Sequence, residues 1–501
     1  MPAWQTMLTA PLPNAVVATP NVPAVVAPLE IDADPGGQTG LYSTTGATVT
    51  ATNPFFQSLG SNGRACVTCH VPANAMGLSL ANIQSRFNAG STHDPLFAPV
   101  DAATCPKNVP AASTSRSLLG GLFGTGSPLA AAGAYSALLT KGLFRISLPV
   151  PTNAQFTIKV VSDPYGCNTD PHYNQVTNSS GTLEQLISVY RRPLISANLK
   201  YKVLSAANTG AFPPIDPLTG AKLPLDAQGN LENGSIMSDG REPTLSSQAI
   251  DAVLTHAQGL KPPTAAQVAQ IVQYESNIYV AQTTDTLAGS LTSGVAGGPV
   301  NLSADPAATD PAPGAPVMTL YNGWAASKAA MQASVYRGQE LFNNRSFTIS
   351  NVAGVNNIPG LGNSPQFSCA GCHSQVNVGA NALPVAQIDE GIGGDLPNHG
   401  GPLPAADLPI FELTCTGGHS TPFNGAQVRT NDPGKALITG LCSDIGRFTI
   451  PTLRGLAARP PYFSDGSAPG LGEVVTFYNR RFNIGLSPQE MQDMVNFLRA
   501  L

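Results

Sequence analysis

Cys66-Val67-Thr68-Cys69-His70 and Cys369-Ala370-Gly371-Cys372-His373 decide how this chain reads. Both follow the pattern Cys-x-x-Cys-His. Two thiols one helical turn apart can add to the two vinyl groups of one porphyrin. The adjacent histidine then falls beneath the iron and supplies its proximal nitrogen. A zinc site would draw four ligands from two such pairs brought together, and a thioredoxin-like dithiol does not need the histidine twice. With no other Cys-x-x-Cys in the chain, the two motifs imply two covalently bound haem c groups. Cys66, Cys69, Cys369 and Cys372 are the attachment residues, and His70 and His373 the proximal iron ligands.

The motifs lie far apart, so they are expected in separate lobes. A weak repeat supports this: Asn53-Pro54-Phe55-Phe56 precedes the first motif as Arg337-Gly338-Gln339-Glu340-Leu341-Phe342 precedes the second. The stretch from Leu287 to Met318 is rich in Gly, Pro, Ala and Ser and reads as a linker. The expected organisation is an extended arm over 1–50, an N-terminal haem domain over 51–290, a linker over 291–318 and a C-terminal haem domain over 319–501. The fold class expected is mainly α: two cytochrome c-like domains with long ordered loops and few short strands. Ala265 to Val280 carries helical apolar spacing. Ser487-Pro488-Gln489-Glu490 reads as an N-cap, a proline at the first helical position and a capping-box glutamate. It opens a final helix with Met491, Met494, Val495 and Leu498 on one face.

Composition narrows the partners. The chain is 42% hydrophobic, enough for a sizeable core, while 50 glycines and 45 prolines imply many turns. A net charge of −5 without a basic patch argues against nucleic acid. No apolar run approaches the roughly 18 residues of a membrane span. Met1 to Ile31 has no Lys or Arg and is broken by prolines, so it is not a signal peptide; a leader upstream of this chain is expected. Outside the motifs stand Cys105, Cys167, Cys415 and Cys442. Three pairings are open, and Cys105–Cys167 with Cys415–Cys442 keeps each bond within one lobe. Two disulfides and haem attachment both suit the periplasm.

The sequence also resembles the bacterial di-haem cytochrome c peroxidases, including their MauG-like branch. The resemblance rests on Pro451-Thr452-Leu453-Arg454-Gly455-Leu456, Pro461-Tyr462-Phe463-Ser464-Asp465-Gly466 and Val474-Val475-Thr476-Phe477-Tyr478. Ser238-Asp239-Gly240-Arg241-Glu242 with Gln248-Ala249 and the order of the two haem motifs extend it over roughly residues 50–501. It implies that hydrogen peroxide reacts at the N-terminal haem while the C-terminal haem relays electrons. The electrons come from a small cytochrome, a copper protein or an oxidisable substrate. Tyr478 falls where the peroxidases carry a methionine ligand and the MauG-like branch a tyrosine. A phenolate-type oxygen is harder than a thioether and favours ferric iron. The family's distal acid–base glutamate aligns with Gln258, leaving His256 as the nearest titratable group. His93 is a candidate second ligand of the N-terminal iron. Asn198 with the carbonyls of Arg459 and Pro461 loosely matches an interdomain calcium site. Ser238 stands where the family often has a tryptophan between the haems, which leaves Tyr190 or Tyr201 as aromatic alternatives. Two other readings share these motifs: an oxygenase of the rubber-oxygenase type, and a di-haem electron carrier with both irons closed.

Overall fold

The computed structural model describes residues 23–89, 94–110, 132–178, 180–203, 236–305, 315–358, 365–381, 387–394, 405–423 and 425–501. Of these, 31% are helical and 21% lie in strands, so the expectation of a mainly α chain is wrong. One reason is local. Phe156-Thr157-Ile158-Lys159-Val160-Val161-Ser162 is dominated by β-branched residues, and Phe156, Ile158, Val160 and Ser162 are less exposed than the residues between them, the period of a strand. The other reason is long-range pairing that no local pattern announces.

Leu29–Asp34 and Gly37–Ser43 form a hairpin whose second strand pairs antiparallel with Ile278–Asp285, and Gly289–Ser290 completes a four-stranded sheet. In a second sheet, Phe156–Ser162 pairs with Ile410–Cys415, which pairs with Gln427–Thr430. Strands from before and after the second motif thus share one ladder. Phe156, Val189, Phe411 and Leu413 are buried together beneath it. The two spare cysteine pairs close as favoured: Cys105 with Cys167 at a Cα separation of 5.5 Å, and Cys415 with Cys442 at 6.1 Å.

Helices hold the remaining walls. Thr264 caps Ala265–Ser276, and its side chain accepts from Gln267 N. The helix stops before Ile278-Tyr279-Val280, which enters the first sheet. Ser487 caps Pro488–Arg499 with the reciprocal Glu490 bond read from the sequence. This last helix packs along Ala330–Asn344. Ser334 Oγ and Arg337 Nε donate to the buried Asp493 carboxylate at 2.5 and 2.7 Å, and the Phe342 and Phe497 rings are 5.5 Å apart. Among the described residues, no helix is long and apolar enough to cross a membrane.

The contact between these two helices depends on the absence of a side chain at Gly338. A Cβ there would stand 2.1 Å from Asp493 O and 2.6 Å from Phe497 Cβ. Neither can retreat without separating the helices. Gly338→Ala is therefore expected to destabilise the protein by about 1–3 kcal/mol, as overpacking does, despite alanine's better helix propensity. Chemical denaturation measures this; a variant as stable as the parent would contradict the packing.

Candidate functional site: two cavities with a common wall

Each Cys-x-x-Cys-His motif is a single tight turn. His70 N donates to Cys66 O and His373 N to Cys369 O, both at 3.0 Å. The turn brings the two thiols of a motif to one side. Cys66, Cys69 and His70 line a cavity of about 240 Å³. Cys369, Cys372 and His373 line another of about 230 Å³. The near-equal size of the two spaces suits the same kind of prosthetic group in each.

The histidines are oriented alike. His70 Nδ1 lies 3.1 Å from Met76 O, and His373 Nδ1 lies 2.6 Å from Gly379 O. A carbonyl can only accept, so Nδ1 carries the proton and Nε2 keeps its lone pair for a metal. Both acceptor residues have positive φ, 56° at Met76 and 74° at Gly379. A phenylalanine lies near each imidazole: Phe55 at 6.5 Å from His70 and Phe342 at 6.1 Å from His373. The sequence repeat therefore marks equivalent places in the two sites. Burial lowers His70 to about 4 and lowers His373 too, which keeps both rings neutral, as iron ligation needs.

Burial pushes the Cys69 thiol up to about 11 and Cys369 and Cys372 to about 12, and raises Cys66 as well. Such thiols are poor nucleophiles at neutral pH, which argues against a dithiol redox site. Among the described residues no cluster of three His, Cys, Asp or Glu could hold a bare metal ion. Paired thiols, a neutral oriented imidazole and a largely apolar cavity fit covalently held haem c at each motif.

The two cavities differ in the polar groups they present. In the first, His256 Nδ1 donates to Asp101 Oδ2 at 2.6 Å, and Arg64 Nη1 stands 2.5 Å from Asp101 Oδ1. Burial would raise the Asp101 carboxyl, but the Arg64 charge and the His256 bond outweigh it and hold it below the usual range. Gln248, Asp101 and His256 all line this cavity, whereas Gln258 does not. Gln258 has φ +55°, and its backbone carbonyl accepts from Ser61 Oγ at 2.9 Å. His93 lies outside the described residues.

In the second cavity, Tyr478 sits on the helix Leu471–Arg481 and shares the space with Cys369, Cys372 and His373. It packs against Phe463, Phe477 and Phe482. Its hydroxyl donates to the Glu390 carboxylate. Burial, then the Glu390 charge, raises the phenol well above its ordinary value, and burial lifts Glu390 to about 7. Asp101 and Glu390 were not found from the sequence. Each is an isolated acid in a loop, and only the fold brings it to its partner.

Two of the three residues named for calcium have hydrogen-bond partners within the fold. Asn198 Oδ1 accepts from Val280 N at 2.9 Å and its Nδ2 donates to Val280 O at 3.1 Å, so the amide serves the sheet. The Arg459 carbonyl accepts from Arg192 Nη2 at 3.1 Å, which puts a guanidinium where the cation was expected. Pro461, the third residue named for calcium, lines the second cavity. Ser238 lines both cavities, together with Arg192, Pro193, Leu194, Pro451 and Arg459. The position aligned with the family's tryptophan is thus part of the common wall. Tyr201 borders the first cavity only. Tyr190 borders neither, and its hydroxyl donates to Thr104 O.

No family model matches the chain. It is 28% identical over 196 residues to the cytochrome-c peroxidase IdrP1 of Denitromonas iodatirespirans, a match covering 36% of this chain and 44% of that protein. It is likewise 28% identical over 191 residues to the cytochrome-c peroxidase IdrP1 of Pseudomonas sp. (strain SCT), covering 35% and 41%. The matches therefore span less than half the length of these relatives. A crystal structure of a MauG-like protein associated with microbial copper homeostasis overlaps 62% of this chain and 90% of its own, at 14% identity and a TM-score of 0.29, too low to carry an argument. On its sequence matches and its motifs, the chain is related to the bacterial di-haem cytochrome c peroxidases it resembles.

Proposed function

We propose that this chain is a periplasmic di-haem c oxidoreductase. It reduces hydrogen peroxide, or uses it to oxidise a second substrate, at the N-terminal cavity while the C-terminal site relays electrons. The observation that carries this reading is the asymmetry of two otherwise equivalent cavities. One presents a histidine held by a carboxylate, and the other a buried tyrosine held by a glutamate. The names of the two curated relatives support peroxide as substrate, and the two disulfides suit an oxidising compartment.

Bound haem would supply the iron that accepts peroxide and the electron path between the sites. Reduction of one peroxide to two waters takes two electrons and two protons, and the electrons come from an external donor such as a small cytochrome or a copper protein. The protein's part is to move a proton from one peroxide oxygen to the other. With Nδ1 committed to Asp101, His256 has Nε2 to accept that proton and return it. Asp101 fixes the tautomer, and Arg64 keeps Asp101 ionised. In the second cavity Tyr478 and His373 are the residues that would hold bound iron, with Glu390 holding the Tyr478 hydroxyl.

Steady-state peroxide consumption with a panel of donors tests this reading. His256→Ala should slow turnover by roughly two to four orders of magnitude, the usual worth of a general acid–base group, with haem content unchanged. Unaltered turnover would remove His256 from the reaction. Tyr478→Phe keeps the packing and deletes the oxygen. It should convert the C-terminal haem to a five-coordinate or water-bound form with a visible high-spin absorption band. An unchanged spectrum would mean that Tyr478 only packs.

A further inference from the structure

The wall between the cavities contains two half-buried guanidiniums with no carboxylate partner among the described residues. Arg192 donates only to backbone carbonyls: from Nη1 to Lys141 O at 3.3 Å, and from Nη2 to Leu78 O at 2.6 Å and Arg459 O at 3.1 Å. Arg459 Nη2 donates to Thr452 O at 2.8 Å, and its Nε is a buried donor without a partner. Both side chains line both cavities. The neighbouring Arg191 shows the usual solution, since Asp239 and Asp432 both bind it. Arg192 has no such acid and instead faces a like charge. Burial first, and the Arg459 charge second, lower Arg192 to about 9, and burial lowers Arg459 to about 10.

A guanidinium facing an apolar cavity is stabilised by an anion that can hydrogen-bond it. Carbonyl dipoles solvate these two but do not neutralise them. The missing anion must be reachable from both cavities. A haem brings two propionate carboxylates, and guanidinium is the side chain best suited to grip a carboxylate. The wall is otherwise Pro193, Leu194, Ser238 and Pro451, which offer no competing cation.

We propose that Arg192 and Arg459 form one shared seat for propionate carboxylates of both haems, so that the two cofactors meet across a pair of guanidiniums. The inference rests on the two-haem reading above. It assigns this wall the electrostatic link between the sites at the place where an aromatic ring is absent. A positive charge beside a haem favours the ferrous state, because oxidation adds a positive charge to the haem. One charge in a wall common to both cavities must then act on both irons, whereas an arginine serving one site, or serving packing alone, does not.

The test is a spectroelectrochemical titration of the two-haem protein that resolves each haem. Arg192→Gln and Arg459→Gln are each expected to lower both midpoint potentials. Arg192→Lys, which keeps the charge, should shift them less than Arg192→Gln. Lys107→Gln, which breaks a surface pair with Asp170, should shift neither. If Arg192→Gln does not fold, Arg459→Gln and Arg192→Lys carry the comparison. Potentials that stay at the parent values in the glutamine variants, or that move for one haem only, overturn the shared seat. A parent protein with fewer than two haems per chain overturns the two-haem reading itself, and haem content is measured first for that reason.

Discussion

The hydrogen bond from histidine Nδ1 to a backbone carbonyl, made at both motifs, is the constraint on which both sites depend. It selects the tautomer, aims Nε2 and requires the loop after each motif to double back on itself. That return passes through left-handed backbone at Ala75 and Met76 in the first site and at Asn377 and Gly379 in the second. At Gly379 a side chain would collide with Leu453 at 2.8 Å and Met318 at 2.9 Å, so glycine satisfies both the conformation and the crowding. Cys-x-x-Cys-His supplies the atoms, and the returning loop orients the histidine among them.

Around that repeated unit the two halves diverge and interlock. The ladder joining Phe156–Ser162 to Ile410–Cys415 and the ion pairs from Arg191 to Asp239 and Asp432 bind residues from both sides of the second motif. The common wall can therefore be held in one position. A rigid wall would suit the proposed electron exchange, which depends on distance, and two like charges stay adjacent where backbone carbonyls hold them. Each cavity then presents its own polar pair, His256 with Asp101 or Tyr478 with Glu390, against the same imidazole arrangement. Different chemistry is built on one repeated frame.

Features carried by short-range spacing were legible in the sequence. The thiol pairs, the capping box at Ser487 and the apolar spacing from Ala265 each depend on residues about a turn apart, although the helix expected to reach Val280 ends at Ser276. The aromatic repeat was legible as a likeness of short segments, and although Phe55 and Phe342 stand at different distances in sequence from their motifs, the fold brings each near its own histidine. The strands were missed because a chain with so many glycines and prolines was read as loops between helices. Yet the alternation in Phe156–Ser162 was available, and only its partner some 250 residues away was hidden. Asp101 and Glu390 carry no motif. Asn198 and the Arg459 carbonyl, named for calcium, have partners in Val280 and Arg192 that sequence spacing cannot disclose. His256 was found by counting from Gln248 and looking for a titratable group. Its hold on Asp101 could be seen only in the fold.

The central claim is that two cavities in one chain each hold a covalently attached haem. Intact mass spectrometry of the denatured protein, produced in a host that matures haem c, measures this directly. The account predicts a chain heavier by two haems, with single substitution of Cys69 or Cys372 weakening attachment at its own motif only. A chain carrying one haem, or none after acid–acetone extraction, would contradict it.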